Sequence, residues 1–185
     1  TVQNVLDLAT KKKGHAKLLA TLQVHKRRLE FVVENDRELL SPLVNFLQQN
    51  VIEMGICNES ECLQVGMALD EALVNALYHG NLEVDSHLKD VDDRAYYQLA
   101  ADRRGKSPFA ERRIFVQAEL TPDQASFVLR DEGPGFDPSS LPDPTDPENL
   151  LKVHGRGILL MRTFMDEVAF NNKGNEVTMI KRRAS

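Results

Sequence analysis

The chain has 185 residues, a net charge of −5 and two cysteines, with 42% apolar and 28% charged residues. These values suit one globular domain and exclude a disordered, collagen-like or disulfide-stabilised chain. No apolar run approaches the roughly 20 residues that span a bilayer, and no signal peptide is recognisable, so we expect a cytoplasmic protein without a membrane partner. Residues 1–28 carry seven Lys/Arg and one Asp. The remainder is acidic, which disfavours nucleic-acid binding.

The first half of the chain is predicted to be mainly helical. Residues 1–28 form a basic lead-in segment, and a strand follows at Leu29–Val33. Ser41-Pro42 predicts the start of a helix that extends to about residue 55. Asn58-Glu-Ser-Glu61 resembles a capping box and predicts a second helix, for which Gly80 is the C-terminal stop.

The second half is predicted to contain most of the strands. A charged helix is predicted at Ser86–Arg104 and a hairpin at 112–131. A loop rich in Pro, Asp and Gly follows at 133–150, then a helix at Gly157–Asp166 and a closing hairpin at 167–181. Long acidic loops of this kind are often lids over binding sites. Helices that come early and antiparallel strands that come late predict an α+β layered fold.

The second predicted helix carries polar residues that can do chemistry. Glu71, Asn75 and His79 are four residues apart and therefore share one helix face. An Asn oxygen can ligate Mg²⁺, and a Glu can orient or deprotonate an attacking hydroxyl. The alternative is an ordinary solvated face, because helices normally keep one polar stripe.

Two glycine-containing segments add possible ligand contacts. Asp131-Glu-Gly133-Pro-Gly135 directly follows a predicted strand. Glycines let the backbone approach a ligand, and an ionised Asp accepts donors such as a purine amine, although Asp and Gly are also common in plain turns. His154-Gly155-Arg156-Gly157 opens a predicted helix, where backbone amides and a guanidinium favour an anion.

In this order, the three motifs resemble the N, G1 and G2 boxes of the GHKL ATPase superfamily. The run Glu71-Ala-Leu-Val-Asn75-Ala-Leu-Tyr-His79-Gly80 and the short lid resemble the anti-sigma-factor serine/threonine kinases within it. The resemblance covers about residues 29–182. It implies a Bergerat, or histidine-kinase-like ATPase, fold: an α+β two-layer sandwich with a mixed, mostly antiparallel sheet, helices on one face, and ATP between a helix and the lid. The ATP-binding domain would comprise residues 29–185.

The same resemblance implies roles for individual residues. Glu71 would be the catalytic base, Asn75 would bind Mg²⁺ and contact the cofactor, and Asp131 would bind the adenine amine. Further residues would shape the adenine pocket or hold the phosphates, namely Gly133 and Gly135 for the pocket and Gly155, Arg156 and Gly157 for the phosphates.

The sequence departs from the family pattern at two places. Gly174-Asn175 stands where the family has Gly-Thr beside the closing strand, so Asn175 is expected to take the place of that Thr at the nucleotide. Residues 84–110 form an insertion longer than the corresponding linker of the minimal anti-sigma kinases. We expect it to bear on dimerisation or on the choice of partner.

Our leading hypothesis is an ATP- and Mg²⁺-dependent protein serine/threonine kinase that phosphorylates a STAS-type, anti-anti-sigma-like protein. A sigma factor, a response-regulator domain or a second copy of the chain are further candidate partners. The alternative is a weakly catalytic or non-catalytic nucleotide-binding module that sequesters a regulatory partner. A start at Thr1 is compatible with an output domain of a larger signalling protein.

Overall fold

The computed structural model of the protein describes residues 26–140 and 156–183. Five strands form one sheet in the order β1-β2-β3-β5-β4. They are β1 (Arg27–Val33), β2 (Ile114–Leu120), β3 (Gln124–Arg130), β4 (Glu167–Phe170) and β5 (Glu176–Arg182). We expected a mixed, mostly antiparallel sheet; within the described ranges every pair of neighbouring strands is antiparallel.

Five α-helices accompany the sheet in the described residues. They are α1 (Arg37–Glu53), α2 (Glu59–Asn75), α3 (Ser86–Val91), α4 (Asp93–Arg104) and α5 (Arg156–Phe164). A π-helical segment, Ala76–Asn81, continues α2 directly, and short 3₁₀ turns occupy Phe109–Glu111 and Pro138–Ser140. None of the described helices has the length and apolarity to span a membrane.

The core lies between the helices and one face of the sheet. Alternate residues of the central strands are buried, because successive side chains of a strand point to opposite faces. In β2 and β3 these are Ile114, Val116, Ala118, Leu120, Ala125, Phe127 and Leu129. They pack with the buried stripes of the helices, such as Leu40, Val44, Leu47 and Val51 of α1. The predicted α+β fold with helices on one face is thereby confirmed.

The first helix begins earlier than the sequence suggested. Its N-cap is Asp36, whose carboxylate accepts a hydrogen bond of 3.1 Å from the Glu38 amide. Pro42, expected at the first helical position, therefore lies inside the helix. The prediction from Ser41-Pro42 was wrong because an earlier residue with extended backbone and a suitable side chain caps the helix.

The second helix starts as predicted and ends differently. The Asn58–Glu61 capping box is present: the Glu61 amide donates to Asn58 Oδ1 at 2.9 Å, and the Asn58 amide donates to Glu61 Oε2 at 3.0 Å. Gly80 is not the C-terminal stop. The last turn widens into the π-helical segment, in which the Leu82 amide bonds the Leu77 carbonyl at 2.9 Å.

The insertion contains two helices where one was predicted. Asp92 has an extended backbone, which ends α3 and separates it from α4. Its carboxylate accepts a hydrogen bond of 2.9 Å from the Ala95 amide and so caps α4. Of the predicted acidic loop, residues 141–150 lie outside the described residues, as does most of the basic lead-in, residues 1–25.

Candidate functional site

A cleft of about 450 Å³ lies between α2 with its π-helical extension, the ends of β3 and β5, and the start of α5. Five residues predicted from the sequence line it: Asn75, Asp131, Gly135, Gly157 and Asn175. The apolar part of its wall is formed by Ala72, Ala76, Leu129, Phe136, Ile158, Met161, Phe170 and Val177. A concave apolar site with a few convergent polar groups is the usual form of a small-molecule site.

Asp131 is the buried charge of this cleft. It follows β3 directly, its side chain is only 9% exposed, and its Oδ1 accepts a hydrogen bond of 2.8 Å from the Gly133 amide. Burial raises the pKa of Asp131 to about 6, although the Gly133 hydrogen bond and the charge of Lys173 oppose the rise. No cation of the described ranges forms an ion pair with it, so the carboxylate remains available to a ligand.

Glycines bring three backbone segments against this carboxylate. A Cβ at Gly80 would overlap the Asp131 carboxylate, and a Cβ at Gly133 would overlap the Gly80 carbonyl. Gly135 has a φ of +79°, and its missing side chain leaves room for the Lys173 carbonyl. The loop after β3 is therefore held in close contact with both the π-helical segment and the β4–β5 turn.

Asn175 ties the β4–β5 turn to Asp131. Its Nδ2 donates to the Asp131 carbonyl at 2.8 Å, while its Oδ1 accepts from Asn171 Nδ2 at 3.0 Å. The Asp131 amide donates to the Asn175 carbonyl at 3.0 Å. Asn175 is buried, and its amide is bonded to protein at both ends, so it holds the Asp131 backbone in place.

Gly157, which lines the cleft, lies against the polar face of α2; of the predicted site residues, Glu71 and Gly133 do not themselves line the cleft. A Cβ at Gly157 would be 2.6 Å from Glu71 Oε2 and 3.4 Å from Asn75 Nδ2. The pKa of Glu71 is raised, first by burial and then by the neighbouring Asp70 carboxylate. A half-buried carboxylate with a raised pKa is suited to accept a proton.

Two of the predicted phosphate-binding residues cannot be compared with the cleft in the same way. Gly155 lies outside the described residues. Arg156 begins α5 next to Gly157. In the described part of the chain, no three His, Cys, Asp or Glu residues form a metal-binding group. Asn75 lines the cleft, and its side-chain oxygen is of the kind that Mg²⁺ prefers.

Sequence reasoning missed a buried amide network beneath the cleft. Asn81 is fully buried; its Nδ2 donates to Asn35 Oδ1 at 2.8 Å, and its Oδ1 accepts from the Glu132 amide at 2.8 Å. Arg112 Nη1 donates to the Asn81 carbonyl at 2.8 Å. The network fixes the π-helical segment to the residue after Asp131. Its only trace in the sequence is an Asn that follows Gly80.

Comparison with known proteins adds a family. A family model described as a histidine kinase-like ATPase domain matches residues 33–181. No curated protein matches the chain. Among solved structures, the RsbU and RsbW domains of Rv1364c from Mycobacterium tuberculosis are similar at 13% identity and a TM-score of 0.49, over 85% of this chain. The chain spans 32% of the length of that one.

Proposed function

Because the chain belongs to the histidine kinase-like ATPase family, we propose that it binds ATP in the cleft and transfers the γ-phosphoryl group to a serine or threonine of a regulatory protein. The observation that carries this proposal is the placement of two carboxylates, one after β3 and one on α2, at separate points along α2 and its π-helical extension. Asp131 lies against Gly80, and Glu71 lies against Gly157. Positions 71 and 80 are separated by about 13 Å of helix rise, which suits an elongated nucleotide.

The Asp131 end of the cleft is suited to adenine. The exocyclic amine of the base would donate to the Asp131 carboxylate, which is mainly ionised at neutral pH with a pKa of about 6. The apolar wall would cover the faces of the ring. The close backbone contacts of Gly80, Gly133 and Gly135 hold the loop that carries this carboxylate, and Asn175 keeps the Asp131 backbone in position.

The Glu71 end is suited to the phosphates and to the transfer step. Asn75 would hold Mg²⁺, which when bound neutralises phosphate oxygens. Glu71 would take the proton of the attacking hydroxyl as the new oxygen–phosphorus bond forms. The bond between the γ-phosphorus and the β–γ bridging oxygen breaks, and ADP leaves with that oxygen. Gly155, Arg156 and Gly157 are proposed to contact the phosphates.

For the partner, the similarity of the run Glu71–Gly80 to anti-sigma-factor kinases supports a STAS-type protein. Calorimetry with ATP, with and without Mg²⁺, tests binding in the cleft, and incubation with radiolabelled ATP and candidate STAS proteins tests transfer. Label on a Ser or Thr of a STAS protein supports the kinase. Nucleotide and partner binding without any transfer would favour the alternative, a nucleotide-binding module that sequesters its partner. No binding of any adenine nucleotide would overturn the proposal.

A further inference from the structure

The insertion at residues 84–110 forms part of the cleft. The Val84 amide donates to the Tyr78 carbonyl at 2.7 Å, and His79 Nδ1 lies 2.7 Å from the Val84 carbonyl. These bonds fasten the start of the insertion to the π-helical segment. Ser86, the first residue of α3, then lines the cleft beside His79 and Gly80. The insertion is therefore a wall of the proposed nucleotide site.

Lys89 lies on the same face of α3 as Ser86. The two residues are three positions apart, which places them one above the other on a helix. Lys89 Nζ lies 5.8 Å from the ring centroids of both Tyr96 and Tyr97, which are carried by α4. Cation–π contacts of this kind restrict where the ammonium group can be.

The aromatic cluster under Lys89 extends to the π-helical segment that continues α2. The Tyr78 ring packs against Tyr96 at 5.4 Å and against Tyr97 at 6.0 Å between centroids. Tyr78 belongs to the π-helical segment that continues α2, and the charge of Lys89 acts on Tyr78 as it does on Glu71, lowering the pKa of each against the effect of burial. Glu71 in turn lies against Gly157, which lines the cleft.

Lys89 has no ion-pair partner among the described residues. No carboxylate in residues 26–140 or 156–183 forms an ion pair with Lys89, and its side chain is exposed. Arg37, the other cation that acts on Glu71, is paired with Asp70 at 3.3 Å. An exposed ammonium group without a counter-ion, one helical turn from the cleft-lining Ser86, is suited to bind phosphate.

We propose that Lys89 binds the β- and γ-phosphates of the nucleotide, so that the insertion supplies a cation to the phosphate end of the cleft. This inference rests on the proposed function, because it requires a nucleotide in the cleft. Tyr96 and Tyr97 position the ammonium group, and Ser86 connects the same helix face to the Asp131 end.

The test compares adenosine, ADP and ATP by calorimetry on the whole chain. For Lys89→Ala we expect an unchanged adenosine affinity and a loss of about tenfold or more for ADP and ATP, the effect of one charge-assisted contact. Lys89→Arg should retain most of the affinity. Lys106→Ala is the matched control, because Lys106 is exposed in the same insertion but lies outside α3, the helix whose first residue lines the cleft.

The outcomes separate this inference from the proposed function. Equal losses for adenosine and ATP in Lys89→Ala, or an equal loss in Lys106→Ala, would overturn the role of Lys89 and leave nucleotide binding intact. A wild-type chain that binds none of the three ligands would overturn the proposed function itself. Wild-type ATP affinity in Lys89→Ala would show that the ammonium group does not contact the phosphates.

Discussion

The Asp131 carboxylate lies so close to the backbone of Gly80 that a side chain at position 80 would overlap it. One residue is at the end of a strand and the other is in a widened helical turn, and they are 51 positions apart. The glycine therefore sets the depth at which the carboxylate is buried, and with it the shape of the cleft.

Gly80→Ala should displace Asp131 and weaken nucleotide binding. Overlap with a packed group costs about 1–3 kcal/mol. Ala is favoured over Gly in a helix by roughly 1 kcal/mol, which offsets part of that loss. We therefore expect a small fall in the free energy of unfolding and at least a tenfold fall in adenosine affinity, measured by denaturation and calorimetry. Gly105→Ala is the control: a Cβ there meets nothing within 4 Å. An adenosine affinity unaffected by Gly80→Ala would contradict the pocket.

Asp131→Asn should stabilise the protein while it removes adenine binding. Because the pKa of Asp131 is raised from 3.8 to about 6, the folded state holds its proton more tightly than the unfolded state. As the pH rises from about 4 through about 6, ionisation of Asp131 therefore lowers the free energy of unfolding, by up to about 3 kcal/mol at pH 8. Thermal denaturation should show the variant more stable at pH 8 and equal to wild type below pH 4. A variant no more stable at pH 8 would contradict the burial of an unpaired carboxylate.

Glu71→Gln should keep ATP binding and lose phosphoryl transfer. Loss of a general base typically lowers a rate by about 10²–10⁴-fold. In the wild type the transfer rate should rise with pH as Glu71 ionises, over a range above its ordinary pKa of 4.5, because burial raises that pKa. The residual transfer rate of the variant should not show this rise with pH. Glu59→Gln, at an exposed position of the same helix, serves as control. Wild-type transfer by Glu71→Gln would exclude Glu71 as the base.

Asn75→Ala should remove the dependence of ATP binding on Mg²⁺. Asn75 is the one amide on the α2 face that lies near Gly157, within the described residues, and Mg²⁺ prefers such oxygen ligands. Titrations of ATP with and without Mg²⁺ should differ for the wild type and coincide for the variant. Adenosine affinity, which involves no metal, should remain at the wild-type value in both and shows that the fold is intact.

Asn175→Ala should destabilise the protein and weaken adenosine binding together. The substitution leaves the Asp131 carbonyl and Asn171 Nδ2 without the partner that the Asn175 side chain supplies, which costs about 1–3 kcal/mol in a buried site. Asn172→Ala is the matched control, because Asn172 is exposed in the same turn. Denaturation and calorimetry of both variants measure the difference; equal behaviour of the two would remove Asn175 from the site.

The parts of the fold that depend on local patterns could be predicted from the sequence. The Asn58–Glu61 capping box, the hairpin at 112–131 and the α+β arrangement are confirmed, and the family match confirms the resemblance to the GHKL superfamily. Each of these features depends on residues that are adjacent or regularly spaced in the sequence. The roles of the site residues remain predictions, although the cleft brings Asn75 and Asp131 together.

The features that the sequence did not reveal depend on contacts between distant residues. Gly80 looks like a helix stop, yet it lies inside a π-helical segment that packs against Asp131 and is bonded through Asn81 to the Glu132 amide. Asn35 and Asn81 are 46 positions apart and bond each other at 2.8 Å. No spacing rule predicts such a pair. The sequence also does not reveal the break at Asp92, because an Asp can either continue a helix or cap the next one, as Asp92 does.

The π-helical turn at Ala76–Asn81 also fixes an angle. A regular α-helix advances by about 100° for each residue, so one residue fewer in this turn would rotate Gly80 and Asn81 away from the loop after β3 while Glu71 and Asn75 stayed where they are. Deletion of a single residue here would uncouple the two ends of the groove without unwinding the helix. The widened turn thus rotates Gly80 and Asn81 toward the sheet by an angle that does not depend on where Glu71 and Asn75 point.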